Sequence, residues 1–317
     1  MEKYDVIIIG GACAGMSSAI YSSRRELKTL VLTKDIGGQI AITTEVENYP
    51  GYESIMGPEL AQKLKAQAEK SGAEIKMEVV TEIKKAGDDY ILTTANGEYQ
   101  APVVILTFGL KQRQLGAKGE NELTGRGVAY CATCDGPLFR GKKVGVVGGG
   151  NSSFDAAEYL STLASEVHLF NRTDKYRAED VLVDTVKAAK NITIHNFTEI
   201  EEFVGEQRLE KVLLKNTSTN EASEIILDGV FIEIGWVSQV DSIKGLKDML
   251  EIDERGYVVV DNQSKTSAPG LFAAGDVTNT PFKQAVISAG EGAKASMSAA
   301  VYLQRLKGGS IVINNKK

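Results

Sequence analysis

Two stretches of the chain share one order of apolar, glycine-rich and amphipathic segments. Residues 4–15 run from an apolar segment into a glycine cluster, and small and apolar residues then recur with helical spacing. Residues 143–153 repeat this order, and residues 154–163 again have helical spacing. A second apolar run, at 29–32 or 167–170, ends each stretch. Strand, glycine turn, helix and strand form a βαβ unit of the kind that binds dinucleotides, so the pattern predicts two such units.

The remaining apolar segments fit around these two units. Further strands are predicted at 90–94, 103–106, 211–214, 229–234 and 256–260, and helices at 58–70 and 284–306, the last interrupted by Gly290 and Gly292. No Pro- or Ser-rich linker separates two halves of the chain. The prediction is an α/β protein with two Rossmann-like three-layer domains. The second domain, at 113–241, is inserted into a first domain made of 1–112 and 242–317.

Composition and charge narrow the function classes. Lys and Arg number 36 against 42 Asp and Glu, which gives a net charge of -6, and no basic run, the terminal Lys316–Lys317 included, is longer than two residues. Nucleic-acid binding is therefore not expected. No apolar stretch is long enough to span a bilayer, and the chain starts directly with a strand pattern rather than a signal peptide. We expect a cytoplasmic protein without membrane contact.

The first glycine turn is a candidate dinucleotide site. Gly10 and Gly15 occupy the outer positions of a G-x-G-x-x-G pattern, and Ala12 replaces the middle glycine. In this pattern the pyrophosphate rests on the N-terminus of the following helix, where unpaired N–H groups favour anions. The alternative is an ordinary turn between a strand and a helix. The small methyl group at residue 12 keeps the nucleotide interpretation in place.

The second glycine turn, with Gly148 and Gly150, indicates a nicotinamide nucleotide. A carboxylate at the end of the next strand is typical of NAD sites, whereas cations there bind the 2′-phosphate of NADP. This chain has no carboxylate at that strand end, and Arg172, Lys175 and Arg177 follow it. The pattern favours NADP. The alternative is a solvated charged loop in which Asp174 offsets one cation.

Two of the three cysteines form a C-x-x-C motif, Cys131 and Cys134. A structural zinc site needs four ligands, and beyond this pair the chain has only Cys13, His168 and His195. We therefore expect no metal. A redox dithiol is the better interpretation, because a C-x-x-C pair closes a small disulfide ring and its spacing lowers the pKa of one thiol. The adjacent Asp135 is a candidate acid/base, with an ordinary turn or capping aspartate as the alternative.

The two nucleotide units and the dithiol also fit one chemistry. A nicotinamide passes a hydride, reduction of a disulfide takes two electrons, and a flavin connects the two processes. Several segments then resemble low-molecular-weight thioredoxin reductases over nearly the whole chain. These are the Cys-Ala-Thr-Cys-Asp-Gly segment at 131–136, Gly-Gly-Gln at 37–39, Thr-Thr-Glu-Val-Glu-Asn-Tyr-Pro-Gly at 43–51, the segment at 266–276 that ends in Gly-Asp, and Lys-Gln-Ala at 283–285.

The resemblance implies a set of site residues for FAD and for NADPH. The FAD residues are Gly10, Gly11, Ala12, Cys13, Ala14, Gly15, Thr33, Lys34, Asp35, Gly37, Gly38, Gln39, Asn48, Gly275, Asp276, Lys283, Gln284 and Ala285. The NADP residues are Gly148, Gly150, Asn151, Ser152, Ser153, Arg172, Lys175 and Arg177. Residues 1–112 and 242–317 then form the FAD domain, and 113–241 the NAD(P) domain.

The resemblance further implies a homodimeric thioredoxin-disulfide reductase whose inserted domain rotates between the flavin and thioredoxin. In that scheme Cys134 faces the flavin, Cys131 attacks thioredoxin or a similar disulfide protein, and Asp135 is the acid/base. The family's NADPH motif His-Arg-Arg-x-x-x-Arg is reduced here to Asn171, Arg172, Thr173 and Arg177. NADH, reduced flavin or ferredoxin therefore remain alternative donors, and a flavin-binding redox sensor without useful turnover is an alternative function.

Overall fold

The computed structural model describes residues 1–43 and 45–308. Thr44, in the flavin-related stretch quoted above, and the terminal segment with Lys316–Lys317 lie outside the described residues. The chain forms two compact units. Unit 1 consists of Met1–Lys111 and of the chain from Val237 onward, and unit 2 is Gln112–Trp236. The sequence places the corresponding boundaries after residues 112 and 241.

The strands of unit 1 are mostly short. They are β1 (Glu2–Lys3), β2 (Val6–Gly11), β3 (Thr29–Ile36), β4 (Glu45–Val46), β5 (Ile55–Met56), β6 (Glu74–Lys76), β7 (Glu82–Ala86), β8 (Asp89–Thr94), β9 (Gly97–Ala101), β10 (Val103–Leu106) and, at the first boundary, β11 (Leu110–Gln112). The helices before this boundary are α1 (Cys13–Ser23), α2 (Gln39–Ile42) and α3 (Gly57–Lys70).

Unit 2 follows with eight strands and four helices among its described residues. The strands are β12 (Val128–Ala129), β13 (Lys143–Val147), β14 (Glu166–Phe170), β15 (Ile192–His195), β16 (Thr198–Val204), β17 (Lys211–Asn216), β18 (Ala222–Ile226) and β19 (Gly229–Ile232). The helices are α4 (Glu120–Leu123), α5 (Ala132–Asp135), α6 (Asn151–Ser161) and α7 (Asp180–Ala188), with a 3₁₀ turn at Gly136–Phe139.

The chain then returns to unit 1 through β20 (Trp236–Ser238), at the second boundary. Two 3₁₀ turns follow, at Val240–Ser242 and Lys247–Met249, and then strand β21 (Leu271–Ala273) and the long helix α8 (Ala285–Leu306). Within unit 2 the backbone N–H of Arg113 donates a hydrogen bond of 3.0 Å to the carbonyl oxygen of Gly235. The inserted segment therefore begins and ends at adjacent points.

A five-stranded parallel sheet, in the order β21-β10-β2-β3-β6, is the centre of unit 1. Alternate residues of its central strands enter two cores, as the period-two geometry of a strand requires. Ile7 and Ile9 pack with residues of the second sheet, β1-β9-β8-β7. Val6 and Ile8 pack against helices α1 and α8. Burial on both faces explains why this strand is an uninterrupted apolar run.

Unit 2 repeats the three-layer arrangement. Its parallel sheet has the order β12-β19-β13-β14-β15, and β16, β17 and β18 form an antiparallel sheet. Val144 and Val146 lie in the core with Phe154 of α6, whereas Val147 lies in a second core with residues of β16 and β17. The predicted α/β fold with two Rossmann-like halves is confirmed.

Two predicted elements differ from the structure. The predicted strand at 256–260 is wrong, because Val258 donates its N–H to Val277 and Val259 donates to Glu251, so neighbouring residues bond to different segments. Helix α8, which we expected to be interrupted by its two glycines, runs unbroken from Ala285 to Leu306. In the part of the chain that the structure describes, no helix has the length and apolar character needed to cross a membrane.

Candidate active site

The first glycine turn joins β2 to α1 at the carboxyl edge of the parallel sheet of unit 1. Gly10 has φ +117°, and a Cβ there would lie 2.5 Å from the carbonyl oxygen of Thr107. A Cβ at Gly15 would overlap the carbonyl oxygen of Gly10. The two outer glycines of the motif are therefore required by close backbone contacts, which bring the first turn of α1 against the end of the strand.

The N-terminus of α1 leaves its first backbone N–H groups without a side-chain cap. Ala12 occupies the N-cap position in an extended conformation, and the first turn contains no acidic residue. Because unpaired N–H groups and the helix dipole favour negative charge, this end of α1 fits a phosphate group. Ala12 thus departs from the glycine motif without closing the helix end, and Gly11, Ala14 and Gly15 complete the turn.

Cys13 is the first residue of α1 and is a free, buried cysteine. Burial, reinforced by the charge of Asp276, raises the pKa of its thiol to about 12. The thiol is therefore protonated at neutral pH and lacks the thiolate that redox chemistry uses. The next residue, Ala14, lies beside the segment that follows β21, because a Cβ at Gly275 would be 3.0 Å from the Cβ of Ala14.

The predicted segment from Thr33 to Gln39 lies at the carboxyl edge of the same sheet. At the end of β3, the hydroxyl of Thr33 donates to the backbone oxygen of Asp35 (2.6 Å), and the N–H of Gly38 donates to the Asp35 carboxylate (3.1 Å). Lys34 and Asp35 are exposed, Gly37 is buried, and Gln39 begins α2. In open parallel sheets, ligands bind outside the carboxyl ends of the strands, and this segment and the glycine turn meet there.

The segment after β21 carries Asp276 and is fixed to α8. Ser288 donates a hydrogen bond of 3.0 Å to the Asp276 carboxylate, whose pKa is raised by burial. The N–H of Gly275 donates to Glu291 (2.8 Å), and the hydroxyl of Thr280 donates to the other carboxylate oxygen of Glu291 (2.6 Å). Sequence reasoning missed Glu291. The available signal was one acidic residue among the small residues of α8.

The start of α8 brings together residues that are far apart in the sequence. The amide of Asn48 donates to the Gln284 side chain at 3.4 Å, and Gln284 is the N-cap residue before Ala285. The ammonium of Lys283 donates to the backbone oxygen of Thr278 (2.6 Å) and lies 4.4 Å from the ring centre of Tyr257. Burial lowers the pKa of Lys283. Three of the predicted flavin residues, Asn48, Lys283 and Gln284, therefore lie at the start of α8.

The second glycine turn, in unit 2, joins β13 to α6. Gly148 has φ +144°, and a Cβ there would lie 2.6 Å from the carbonyl oxygen of Glu233. The N–H of Gly150 donates to the hydroxyl of Ser153 at 3.1 Å, and this hydroxyl donates back to the Gly150 carbonyl oxygen at 2.8 Å. Ser153 thus stabilises the turn, while Asn151 and Ser152 are exposed at the start of α6. The turn fits a second dinucleotide.

Asn171, at the end of β14, organises the loop that carries the predicted cations. Its buried amide donates to the backbone oxygens of Thr173 (2.8 Å) and Lys175 (3.1 Å). The N–H of Arg177 donates to the backbone oxygen of Gly149 at 2.6 Å, which ties this loop to the glycine turn. The side chains of Arg172, Lys175 and Arg177 are exposed. The structure therefore places three cations on a loop bonded to the second glycine turn, with neutral Asn171 beneath them.

Cys131 and Cys134 form a disulfide, with 5.3 Å between their Cα atoms. Cys131 caps the short helix α5, and its sulfur accepts the N–H of Cys134 at 3.2 Å. Neither cysteine is fully buried. Asp135 ends α5, and burial raises the pKa of its carboxyl to about 6. A disulfide next to a carboxyl that changes charge near neutral pH is suited to chemistry that moves both electrons and protons.

Glu233, which sequence reasoning also missed, lies beside this disulfide. It follows β19, and its carboxylate accepts the backbone N–H of Ala132, the first residue of α5, at 3.3 Å. Burial raises the pKa of Glu233 to about 7, and the charge of Asp155 acts in the same direction. The one signal for Glu233 in the sequence is a carboxylate at the end of an apolar strand.

The two histidines of the chain pair with each other. Nδ1 of His168 lies 2.9 Å from Nε2 of His195, and Nε2 of His168 lies 3.2 Å from Glu166. Burial lowers the pKa of both imidazoles. Among residues 1–43 and 45–308, no group of three or more His, Cys, Asp or Glu side chains is arranged to hold a metal ion.

The raised pKa of Asp135 predicts that this carboxylate destabilises unit 2 at alkaline pH. Burial favours the protonated carboxyl in the folded state, so stability from this group is present below about pH 4 and is lost as pH rises through about 6. Asp135→Asn removes the charge, and at pH 8 we expect it to increase the free energy of unfolding by at most about 3 kcal/mol. Urea denaturation at pH 8 and pH 4 measures this. An equal difference at both pH values would contradict the explanation.

Two dinucleotide-binding units, with a disulfide beside a partly buried acid in the second, define an oxidoreductase of the disulfide-reducing class. A family model described as pyridine nucleotide-disulphide oxidoreductase matches residues 4–292. The chain belongs to this family and is an oxidoreductase, and membership implies the use of a flavin and a nicotinamide cofactor.

Individual relatives agree with this assignment. The chain is 42% identical to a thioredoxin reductase of Treponema pallidum, over 96% of this chain and 98% of the relative. It is 40% identical to one of Bacillus subtilis, over 96% of each chain. The crystal structure of thioredoxin reductase from Streptococcus pyogenes has a TM-score of 0.90 at 36% identity, covering 96% of this chain and 99% of that one. The predicted resemblance to thioredoxin reductases is confirmed.

Proposed function

We propose that the protein is a thioredoxin-disulfide reductase that passes electrons from NADPH, through FAD, to the Cys131–Cys134 disulfide and on to thioredoxin or a similar disulfide protein. The observation that carries the proposal is that this C-x-x-C pair forms a disulfide within a unit that also has a dinucleotide turn. The names of the relatives support thioredoxin as the partner.

The residues of unit 1 would hold the FAD. The open N-terminus of α1 would bind its pyrophosphate, the segment from Thr33 to Gln39 would lie along the cleft, and Asp276 would bind the ribityl or phosphate part. Asn48 and Gln39 would hold the isoalloxazine end, and Lys283, Gln284 and Ala285 at the N-terminus of α8 would lie beside the ring. When bound, the flavin supplies two-electron chemistry between a nicotinamide and a disulfide.

The reactive groups of unit 2 would act in a fixed order. Reduction of the disulfide adds two electrons and breaks the S–S bond. The thiolate of Cys131 then attacks the disulfide of the partner and forms a mixed disulfide, which Cys134 resolves by re-forming the bond with Cys131. Asp135 would hold or release a proton during these steps, since its pKa of about 6 lies near physiological pH.

The electron donor is the part of the proposal with two candidates. The exposed Arg172, Lys175 and Arg177 beside the second glycine turn support NADPH. The neutral, buried Asn171 at the strand end, and the reduced arginine motif, keep NADH and a non-nicotinamide donor as the second candidate. One relative is named a ferredoxin-flavin thioredoxin reductase, from Clostridium acetobutylicum; its TM-score is 0.53 at 30% identity, and the match covers 97% of this chain and 99% of that one.

Anaerobic titration of the purified yellow protein tests the donor and the function together. We expect NADPH to bleach the flavin absorbance within seconds and NADH to do so more slowly, because the cations attract the 2′-phosphate. Steady-state reduction of thioredoxin then tests turnover. Faster bleaching by NADH would overturn the choice of NADPH, and bleaching by reduced ferredoxin alone would assign the other donor. Flavin reduction without turnover would identify a redox sensor.

The proposal also includes a homodimer in the cytoplasm. The resemblance to thioredoxin reductases supports the dimer. The cysteines support a cytoplasmic location, because structural disulfides are typical of oxidising compartments. Here the three cysteines are a C-x-x-C disulfide pair and the free Cys13. Sedimentation analysis of the flavin-loaded protein measures the oligomeric state.

A further inference from the structure

Glu233 is held in place by the second glycine turn. It follows β19 directly, and its backbone N–H donates to the carbonyl oxygen of Val147, the last residue of β13, at 2.9 Å. Its carbonyl oxygen lies so close to Gly148 that a Cβ at that glycine would be 2.6 Å away. The backbone of Glu233 is therefore fixed by the strand and the turn that form the nucleotide motif of unit 2.

The side chain of Glu233 reaches the redox turn from this fixed point. Its carboxylate accepts the N–H of Ala132 at 3.3 Å, and Ala132 directly follows Cys131, the cap of α5. The negative charge of Asp155, on α6, raises the pKa of Glu233. The charge of Glu179, at the start of α7, raises the pKa of Asp155 in turn. Helix α5 contributes Cys134 and Asp135, and Cys131 is its N-cap residue. Acidic residues of α5 and at the end of β19 therefore lie next to the redox turn, and Asp155 of α6 acts on Glu233.

We propose that Glu233 is a positioning residue of the redox pair, which anchors the first residue of α5 and whose negative charge disfavours the thiolate of the reduced pair. This inference rests on the proposed function. Asp135 was the acid that sequence reasoning assigned to the pair, and Glu233 adds a second carboxylate from a different element. The hydrogen bond from the Ala132 N–H to the Glu233 carboxylate also connects the redox turn to the nucleotide turn, because the backbone of Glu233 lies against Gly148.

The chemistry follows from the charge balance of reduction. Two electrons break the S–S bond and leave two thiolates, and two protons convert these into two thiols. A nearby carboxylate raises the pKa of a thiol, because it repels the thiolate. Burial raises the pKa of Glu233 to about 7, so this repulsion increases as pH rises past neutrality. The reduced pair therefore keeps its protons to a higher pH than it would without Glu233.

The test compares Glu233→Gln, which retains an oxygen to accept the Ala132 N–H but has no charge, with Glu233→Ala, which loses both. Asp228→Asn is the matched control, since Asp228 precedes the same strand and its carboxylate accepts the N–H of Lys143 at 3.0 Å on an exposed surface. Each protein is reduced with dithiothreitol and freed of it. The rate of alkylation of Cys131 and Cys134 by iodoacetamide is then followed by peptide mass spectrometry between pH 5 and 9.

We expect Glu233→Gln to lower the pKa of the more reactive thiol by at least half a unit, which raises alkylation by up to about threefold at pH values where the Glu233 carboxylate is charged and the thiol is still mostly protonated. Asp228→Asn should superimpose on the wild type. In Glu233→Ala the Ala132 amide should also exchange its hydrogen faster. A Glu233→Gln profile equal to that of the wild type overturns the inference. Failure of the proposed function would show as a different result, a wild-type protein that does not reduce thioredoxin. The alkylation profiles can be measured in either case.

Discussion

Cys131→Ser and Cys134→Ser should each abolish thioredoxin reduction, with a fall in turnover of at least about a thousandfold, since the disulfide cannot form with one sulfur. Both variants should retain the flavin, because the proposed flavin residues lie in unit 1 and the cysteines in unit 2. Flavin absorbance per protein and the steady-state rate measure the two expectations.

The two variants also separate the roles of the sulfurs. Cys134→Ser retains the thiol that attacks the partner but lacks the resolving thiol, so it should trap a mixed disulfide between Cys131 and thioredoxin. Cys131→Ser should trap none. Thr133→Ala, at an exposed position between the cysteines, is the control and should stay within about twofold of the wild-type rate. Turnover in either serine variant, or trapping in Cys131→Ser alone, would refute the assignment.

Gly292→Ala should lose the flavin and destabilise unit 1. A Cβ at residue 292 would overlap the carbonyl oxygen of Ala14, in the first turn of α1. At the same place the hydroxyl of Ser18 donates to the carbonyl oxygen of Gly292 at 2.9 Å, so the two helices touch backbone to backbone. Relief of the overlap moves the N-terminus of α1, which we propose binds the pyrophosphate. We expect a loss of about 1–3 kcal/mol in stability and a loss of at least about tenfold in flavin affinity.

Gly290→Ala provides a matched control in the same helix. Gly290 is exposed, and a Cβ there would meet no heavy atom of the described residues within 4 Å. Alanine is the better helix former, so this variant should be more stable by up to about 1 kcal/mol, with unchanged flavin content. Thermal unfolding and flavin absorbance distinguish the two substitutions. Equal behaviour of both variants would show that the α1–α8 contact does not control flavin binding.

The sequence predicted the parts of the site whose signals are local. Gly10, Gly15 and Gly148 belong to short glycine motifs that are recognisable within a few residues of sequence, although Gly10 and Gly148 contact distant residues of neighbouring strands in the fold. The apolar runs of β2 and β13 reflect burial on both faces. The C-x-x-C spacing likewise places the two cysteines close enough to form a disulfide without any distant part of the chain. Such features follow from strand and helix periods and from the space that a glycine leaves.

The parts that sequence reasoning missed depend on distant partners. Glu233 meets Ala132, and Glu291 meets Gly275, across intervals that no periodicity covers. From the sequence alone, each carboxylate would be taken for a solvent-exposed charge. The fold shows which backbone N–H group donates a hydrogen bond to it. Asn171 is a similar case. Its position suggested a weakened nucleotide motif, whereas the structure uses its amide to shape the loop. Gly292 was expected to break α8, although it permits a helix contact instead.

The proposed flavin site is complete only when α1 and α8 are in contact, and this affects when the flavin can bind during synthesis. Residues 10–15, which form the glycine turn, are synthesised before Gly292. Gly292 belongs to α8, the last helix of the described chain. Unit 2 ends at Trp236 and can complete its own contacts while the later residues are still being synthesised. If the flavin binds at the proposed site, we expect its loading to be a late event of biogenesis, and a nascent chain without α8 to bind no flavin even with a folded unit 2.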